Sequence, residues 1–274
     1  MNLCVENLSY SFDGVHDLWK DVSFAVEKGD IFSIMGANGA GKSTLLHTVI
    51  GFLRPKTGQV YLENEGQKIY ADTVPKLFTE NIGYVPQLSD TAYSFAVKDY
   101  VVMGRSPHMG LFSQPSAKDR EMADEVMQDM GLYEIRNRRF NTLSGGQQRQ
   151  AVIARAIVQE PQLIIMDEPT NHLDYGNQFR VVEMIEKLSK KGITVILTTH
   201  MPIRRSTWGI GQGSCRTGSF PWETRKTSLQ KKLWKKFIVS KCVSPMWKKQ
   251  NGLSASLVSN HIKTRPCVPT PKRE

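Results

Sequence analysis

Three short runs hold the residues best suited to chemistry. Gly36, Ala37, Asn38, Gly39, Ala40, Gly41, Lys42 and Ser43, followed by Thr44, fit the pattern GxxxxGK[ST]. In such a loop the glycines let main-chain N–H groups turn inward around phosphate oxygens. Lys42 is then set to reach the β- and γ-phosphates and Ser43 to ligate Mg²⁺, while the helix that starts there favours an anion. A second run, LIIMDE, ends in Asp167 and Glu168. Strand ends in open α/β sheets face the ligand crevice, so Asp167 can hold the metal through water and Glu168 can act as general base on an attacking water. The third run is LSGGQ at Leu143–Gln147, where Ser144 suits a helix N-cap. With Gly145, Gly146 and Gln147 it opens a second anion-binding helix end. One terminal phosphate does not need two such ends from one chain, so the economical arrangement is a head-to-tail pair of copies. Each then lends its Ser144 end to the other's phosphate loop.

These residues need rigid elements behind them. IFSIM, QLIIMD and ITVILTTH are short continuous apolar runs, the pattern of strands buried on both faces. Alternating with helix-compatible stretches, they imply a parallel sheet covered on both sides, an α/β fold. Ahead of them, LCVENLSYSF and DVSFAVEKGD alternate as antiparallel strands with turns at Asp13-Gly14 and Lys28-Gly29, and residues 58–85 return to strand-like text. Residues 116–130 and 176–191 space their apolar residues three and four apart, as surface helices do, and Gly192 stops the second. No internal repeat is apparent. No window is apolar enough to cross a bilayer and the N-terminus lacks a secretory layout, so a cytoplasmic chain is expected. Cys4, Cys215, Cys242 and Cys267 form no CxxC pair, which indicates neither a zinc site nor a disulfide framework.

The motifs in this order are GANGAGKST, Gln87 after IGYVPQ, LSGGQ, LIIMDEPT, NHLD at Asn171–Asp174, and His200. Over roughly the first 200 residues the chain resembles the nucleotide-binding subunits of ABC ATPases. The resemblance implies a P-loop NTPase fold of the ABC type, with an antiparallel β-lobe and a helical lobe at about 88–145. It implies ATP and Mg²⁺ as ligands and ATP hydrolysis as the reaction, with a homodimer of these subunits below transmembrane permease subunits. By the same resemblance Phe12 stacks on adenine, with Tyr10 the alternative ring. Gln87 links the γ-phosphate and Mg²⁺ to the permease, Asp174 communicates across the dimer, and His200 contacts the γ-phosphate. The stretch SFAVKDYVVMGRSPHMGLF is similar to the subunits of importers for iron chelates, haem and cobalamin, where Val97–Arg105 sits by the groove that receives the permease. That reading places the protein peripherally on the cytoplasmic face of the membrane, indirectly served by a substrate-binding protein, with no nucleic acid as partner. A soluble ABC ATPase outside transport is the rival.

The resemblance stops after His200. The first 200 residues carry 20 Lys+Arg against 24 Asp+Glu, whereas residues 201–274 carry 16 against 2, so the net charge of +10 describes the tail alone. Four of the five tryptophans, Trp208, Trp222, Trp234 and Trp247, also lie there, without sustained helix or strand periodicity. Codons compatible with this stretch, shifted by one base, give text resembling the family's missing strand and terminal helix. The tail is therefore expected to be a frame-change product or a basic disordered segment. On that reading 1–200 is an incomplete domain, with an open edge beside ITVILTTH and an inactive product as its extreme form.

Overall fold

The computed structural model describes residues 1–87, 94–110, 112–171 and 173–199, together with the backbone of 216–218 and 237–242. Strands β1 (Asn2–Ser11) and β2 (Asp17–Val26) pair antiparallel, as their alternation predicts, and β1 pairs on its other edge with β4 (Thr57–Asn64). A short β5 (Gln67–Tyr70) completes a four-stranded lobe in the order β2-β1-β4-β5. Between the strands of this lobe run β3 (Ile31–Gly36) and helix α1 (Lys42–Val49), the strand–loop–helix unit that carries the phosphate-loop pattern.

Residues 75–80 depart from the strand-like reading of 58–85. They form α2 (Pro75–Glu80), because proline at the first helical position has its φ already set and no N–H to leave unpaired. Next come β6 (Ile82–Val85), α3 (Val97–Val102), a 3₁₀ turn over Met103–His108, α4 (Ala117–Asp129) and α5 (Gly145–Ile157). β7 (Leu163–Met166), α6 (Tyr175–Lys190) and β8 (Thr194–Thr199) follow, and β9 (Arg216–Gly218) and β10 (Phe237–Cys242) come last. The second sheet has the order β6-β7-β8-β3-β10-β9. Its β6, β7, β8 and β3 are parallel; β10 joins β3 antiparallel, and β9 pairs antiparallel with β10.

One expectation is corrected by that order. The ITVILTT strand, β8, is no edge: it lies between β7 and β3 and is buried throughout. The edge in question belongs to β3, whose outer row of N–H and C=O groups needs a partner. And the segment 201–274, which shows no strand periodicity, supplies one there, β10, with β9 outside it.

The period of two along the buried strands divides the core. Ile164, Met166, Val195 and Leu197 pack with Val101, Met127, Phe140, Ile153 and Ile185 of the helical side. Leu163, Ile165 and Ile196 face the other way, onto Phe32, Ile34, Leu46, Val49 and the β-lobe. Among the described residues no helix is long and apolar enough to cross a membrane.

The helical lobe is pinned at a cap. Ser116 and Asp119 form a reciprocal capping box at the start of α4, and Arg105 Nε donates to Asp119 Oδ1 at 2.9 Å. Arg105 is itself turned inward, with Nη1 donating to Val158 O at 3.0 Å and to Glu160 Oε2 at 3.1 Å, so the GRSPH segment is clamped to the α5–β7 turn. Phe95, ahead of α3, and Met103, at the start of the 3₁₀ turn, are exposed. The Ser116 hydroxyl and then the Arg105 guanidinium hold the Asp119 carboxyl down at about 2, against an ordinary 3.8. A carboxyl lowered on folding stabilises the fold fully above its unfolded value and loses that contribution as pH falls through the folded one. Asp119→Asn should thus lower the urea midpoint at neutral pH. The gap to the unsubstituted chain should narrow as pH falls from 3.8 towards about 2. A gap that stays constant across that window would show that the charge contributes nothing.

Candidate active site

The phosphate loop leaves the C-terminal end of β3 and enters α1 through Gly41, whose φ of 89° lies in the left-handed region. That conformation requires glycine, and a β-carbon there would also press on Leu18 Cδ2 at 2.8 Å. Ala37, Asn38 and Gly39 are exposed along the loop, Ala40 is buried, and Ser43 and Thr44 are half-buried on the first turn of α1. Lys42 is buried, with Nζ donating to Gly36 O at 3.0 Å and Ala37 O at 3.2 Å. The ammonium lies 3.4 Å from Glu168 Oε1. Two runs 126 positions apart in sequence thus meet at one point, because β3 and β7 are parallel and end on the same side of the sheet.

The carboxylate pair is held more firmly than its sequence suggests. Asp167 is buried, its N–H donating to Val85 O at 2.9 Å, and its Oδ1 accepts from the Thr198 hydroxyl. The same Thr198 oxygen accepts from Glu168 N at 2.9 Å. Glu168 has a φ of 44°, a left-handed backbone that costs a side-chain-bearing residue about 1–3 kcal/mol and persists only when its surroundings enforce it. Those surroundings are Thr198 on its N–H, and Asn171 N and Arg149 Nη2 on its carbonyl, at 3.1 and 2.9 Å. Asn171 Nδ2 holds Oε2 at 2.9 Å, so one carboxylate oxygen faces an amide and the other faces Lys42.

Ser144 caps α5 as expected: its hydroxyl accepts from Gln147 N at 3.3 Å, and Gln147 Oε1 accepts from Ser144 N at 3.1 Å. Ser144 and Gly145 are exposed, whereas Gly146 is buried where a β-carbon would collide with the Asn177 side chain. Asn177 is held by Asp174, the N-cap of α6, whose carboxyl is lowered chiefly by the Asn177 N–H. LSGGQ and NHLD are therefore neighbours. Among the described residues no hydrogen bond or ion pair joins Ser144–Gln147 to the phosphate loop.

The remaining expected positions divide. Gln87 lies exposed, two residues beyond β6. Tyr10 is buried against Trp19, with ring centroids 5.5 Å apart, while Phe12 is 73% exposed past the end of β1 with its ring edge-on to Tyr10. His200 lies outside the described residues, which end in this region at Thr199. Three residues that motif reading passes over complete the arrangement: Thr198, Asn171 as a side-chain donor, and the buried Arg149.

The chain is similar to known proteins. The ABC transporter family matches residues 19–171. The molybdate import ATP-binding protein MolC of Haemophilus influenzae is 37% identical over 201 residues, 73% of each chain. A Helicobacter pylori ATP-binding protein named for iron chelatin transport is 35% identical over 206 residues, 74% of this chain and 78% of that one. Among solved structures, an inward-facing ABC transporter described as of the metal-chelate type aligns with a TM-score of 0.64 at 36% identity, covering 73% of this chain and 74% of that chain. A phosphate loop abutting a Glu-ended strand, a capped LSGGQ helix and a family match across more than half of the chain agree: this protein belongs to the ABC transporter family, as an ATP-binding cassette ATPase.

Proposed function

We propose that the chain energises an ABC importer of a metal chelate, an iron-siderophore complex before others, as a homodimer docked on the cytoplasmic face of a permease. The observation that carries the chemistry is the 3.4 Å approach of Lys42 Nζ to Glu168 Oε1, which sets the phosphate-binding cation and the proton acceptor at one point. Lys42 and the loop N–H groups from Gly36 to Thr44 would hold the β- and γ-phosphates. Glu168, its main chain fixed by Thr198 and Arg149, would take the proton of the attacking water. Phe12, the exposed ring of the pair, would stack on adenine, and Gln87 and His200 would approach the γ-phosphate.

Mg²⁺ fits the donor set. Ser43 and Asp167 offer hard oxygen atoms, and no group of three or more His, Cys, Asp or Glu side chains builds a cage among the described residues. That suits an ion which keeps its waters and leans on substrate phosphates. Bound there with ATP, Mg²⁺ would neutralise charge on the phosphate oxygens. Ser144 and Gly145 are exposed, and among the described residues the Ser144–Gln147 end has no bond to its own phosphate loop, which supports its use by a second copy across a shared nucleotide. The importer reading is supported by the names of the molybdate and iron chelatin relatives and by the exposed Met103 that opens the turn carrying GRSPH.

Lys42→Ala tests the nucleotide site. A charge-assisted contact is worth about 1.5–3 kcal/mol, so ATP affinity should fall at least about tenfold, read by titration with a fluorescent ATP analogue. Unchanged affinity would remove Lys42 from the site. Transport is tested by co-expression with an ABC permease of the metal-chelate type, followed by isolation from detergent-solubilised membranes and assay of ATP-driven uptake of radiolabelled ferric siderophore and molybdate in vesicles. Uptake of the siderophore alone is the expected result. A chain recovered free of any membrane partner, with full ATPase activity, would favour the soluble reading.

A further inference from the structure

Arg149 is fully buried on α5, one helical turn from the LSGGQ glycines, and its guanidinium bridges two other segments. Nη1 donates to Pro86 O at 2.8 Å, the carbonyl immediately before Gln87, and Nη2 donates to Glu168 O at 2.9 Å. Nε has no partner among the described atoms, so the side chain's hydrogen bonds are spent on these two carbonyls. Burial pushes the guanidinium down to about 10, with Asp167 acting in the opposite sense, and it stays charged at neutral pH. A buried charge tolerates loss of its acceptors poorly, and a planar fork fixes the relative positions of the groups it joins. The contact at Glu168 falls on a residue whose left-handed φ of 44° needs outside support.

We infer that Arg149 is a positioning residue for hydrolysis, locking the main chain of Glu168 and the root of the Gln87 loop to the start of the LSGGQ helix. The three segments then move as one unit, so a displacement of α5 when its exposed end engages phosphate reaches the proton acceptor directly. This deepens the proposed function and rests on its reading of Glu168 as the general base.

The test uses Arg149→Met and Arg149→Lys in the full chain, with kcat, KM, affinity for a fluorescent ATP analogue and thermal midpoint measured for each. A base displaced by about 1 Å can cost on the order of a hundredfold in rate, and that is the expected fall in kcat for Arg149→Met. Nucleotide affinity should stay within about threefold, because the phosphate loop is untouched. Lysine, a point charge able to serve one carbonyl, should recover about a tenth of the lost rate. Combined with Glu168→Gln, Arg149→Met should add almost no further loss, as expected of residues acting on one step. A kcat for Arg149→Met within about threefold of the unsubstituted chain would overturn the inference. So would parallel loss of kcat, affinity and thermal midpoint with no recovery by lysine, which would make Arg149 a folding residue alone. If Glu168→Gln by itself turns over normally, the general-base reading fails instead, and a kcat-only loss in Arg149→Met then marks the Gln87 root as what it positions.

Discussion

A Glu168→Gln chain should bind ATP as well as the unsubstituted protein and hydrolyse it roughly a thousandfold more slowly, since a positioned general base contributes about 10²–10⁴ in rate. The substitution preserves shape, so the strained main chain keeps its partners Thr198, Asn171 and Arg149, none of which bonds to the atom that changes character except Asn171 at Oε2. The glutamine carbonyl oxygen can still accept from Asn171 Nδ2. What is lost is a proton acceptor and the negative charge 3.4 Å from Lys42. The second loss works in favour of binding, because the ammonium then has one fewer anion competing with phosphate. KM should not rise, therefore, and ATP should accumulate in a closed pair of copies, visible as a nucleotide-dependent doubling of mass in light scattering. Turnover close to normal would take Glu168 out of its role and leave the carboxylate as a structural counter-ion of Lys42.

The parts of this site that were legible in the sequence are those whose chemistry and geometry coincide within a few residues. A phosphate loop must follow a buried strand and open a helix, and a Ser three positions before a Gln caps itself, so Lys42 and Ser144 could be placed without a fold. Contacts made by the sheet order could not. Arg149 sits in QRQAVIARAIV, where an arginine reads as the solvated side of an amphipathic helix; only the packing of α5 against β6 and β7 turns it onto the carbonyls of Pro86 and Glu168. Thr198 reads as one more β-branched strand residue until β8 is found beside β7, which brings its hydroxyl between Asp167 and Glu168. Tyr10 and Phe12 have the same parity, so alternation alone could not separate them. Register shifts at the end of β1 do so, leaving Tyr10 inside against Trp19 and Phe12 out.

Sheet order also governs what the C-terminal segment should do. Removing residues 201–274 should abolish soluble, nucleotide-binding protein, because β10 is the strand that covers the outer edge of β3. Six residue pairs join them, from Phe237 with Gly36 to Cys242 with Ile31, and the register runs to the first residue of the phosphate loop. Net backbone hydrogen bonds contribute about 0.5–1.5 kcal/mol each, so losing such a ladder takes several kcal/mol from a domain whose whole stability is roughly 5–15 kcal/mol. The damage falls on β3, the strand that delivers Lys42, and an open edge of continuous apolar residues is a template for pairing with further chains. The two components of the prediction can be read separately. Size-exclusion chromatography of the shortened chain should show aggregate in place of a defined species, and amide exchange in the intact chain should protect 237–242 as strongly as Ile31–Gly36. A shortened chain that stays soluble and hydrolyses ATP at the full rate, with fast exchange over 237–242 in the intact protein, would show that β3 does not need this strand. The segment would then be the out-of-frame or disordered tail that its composition suggests.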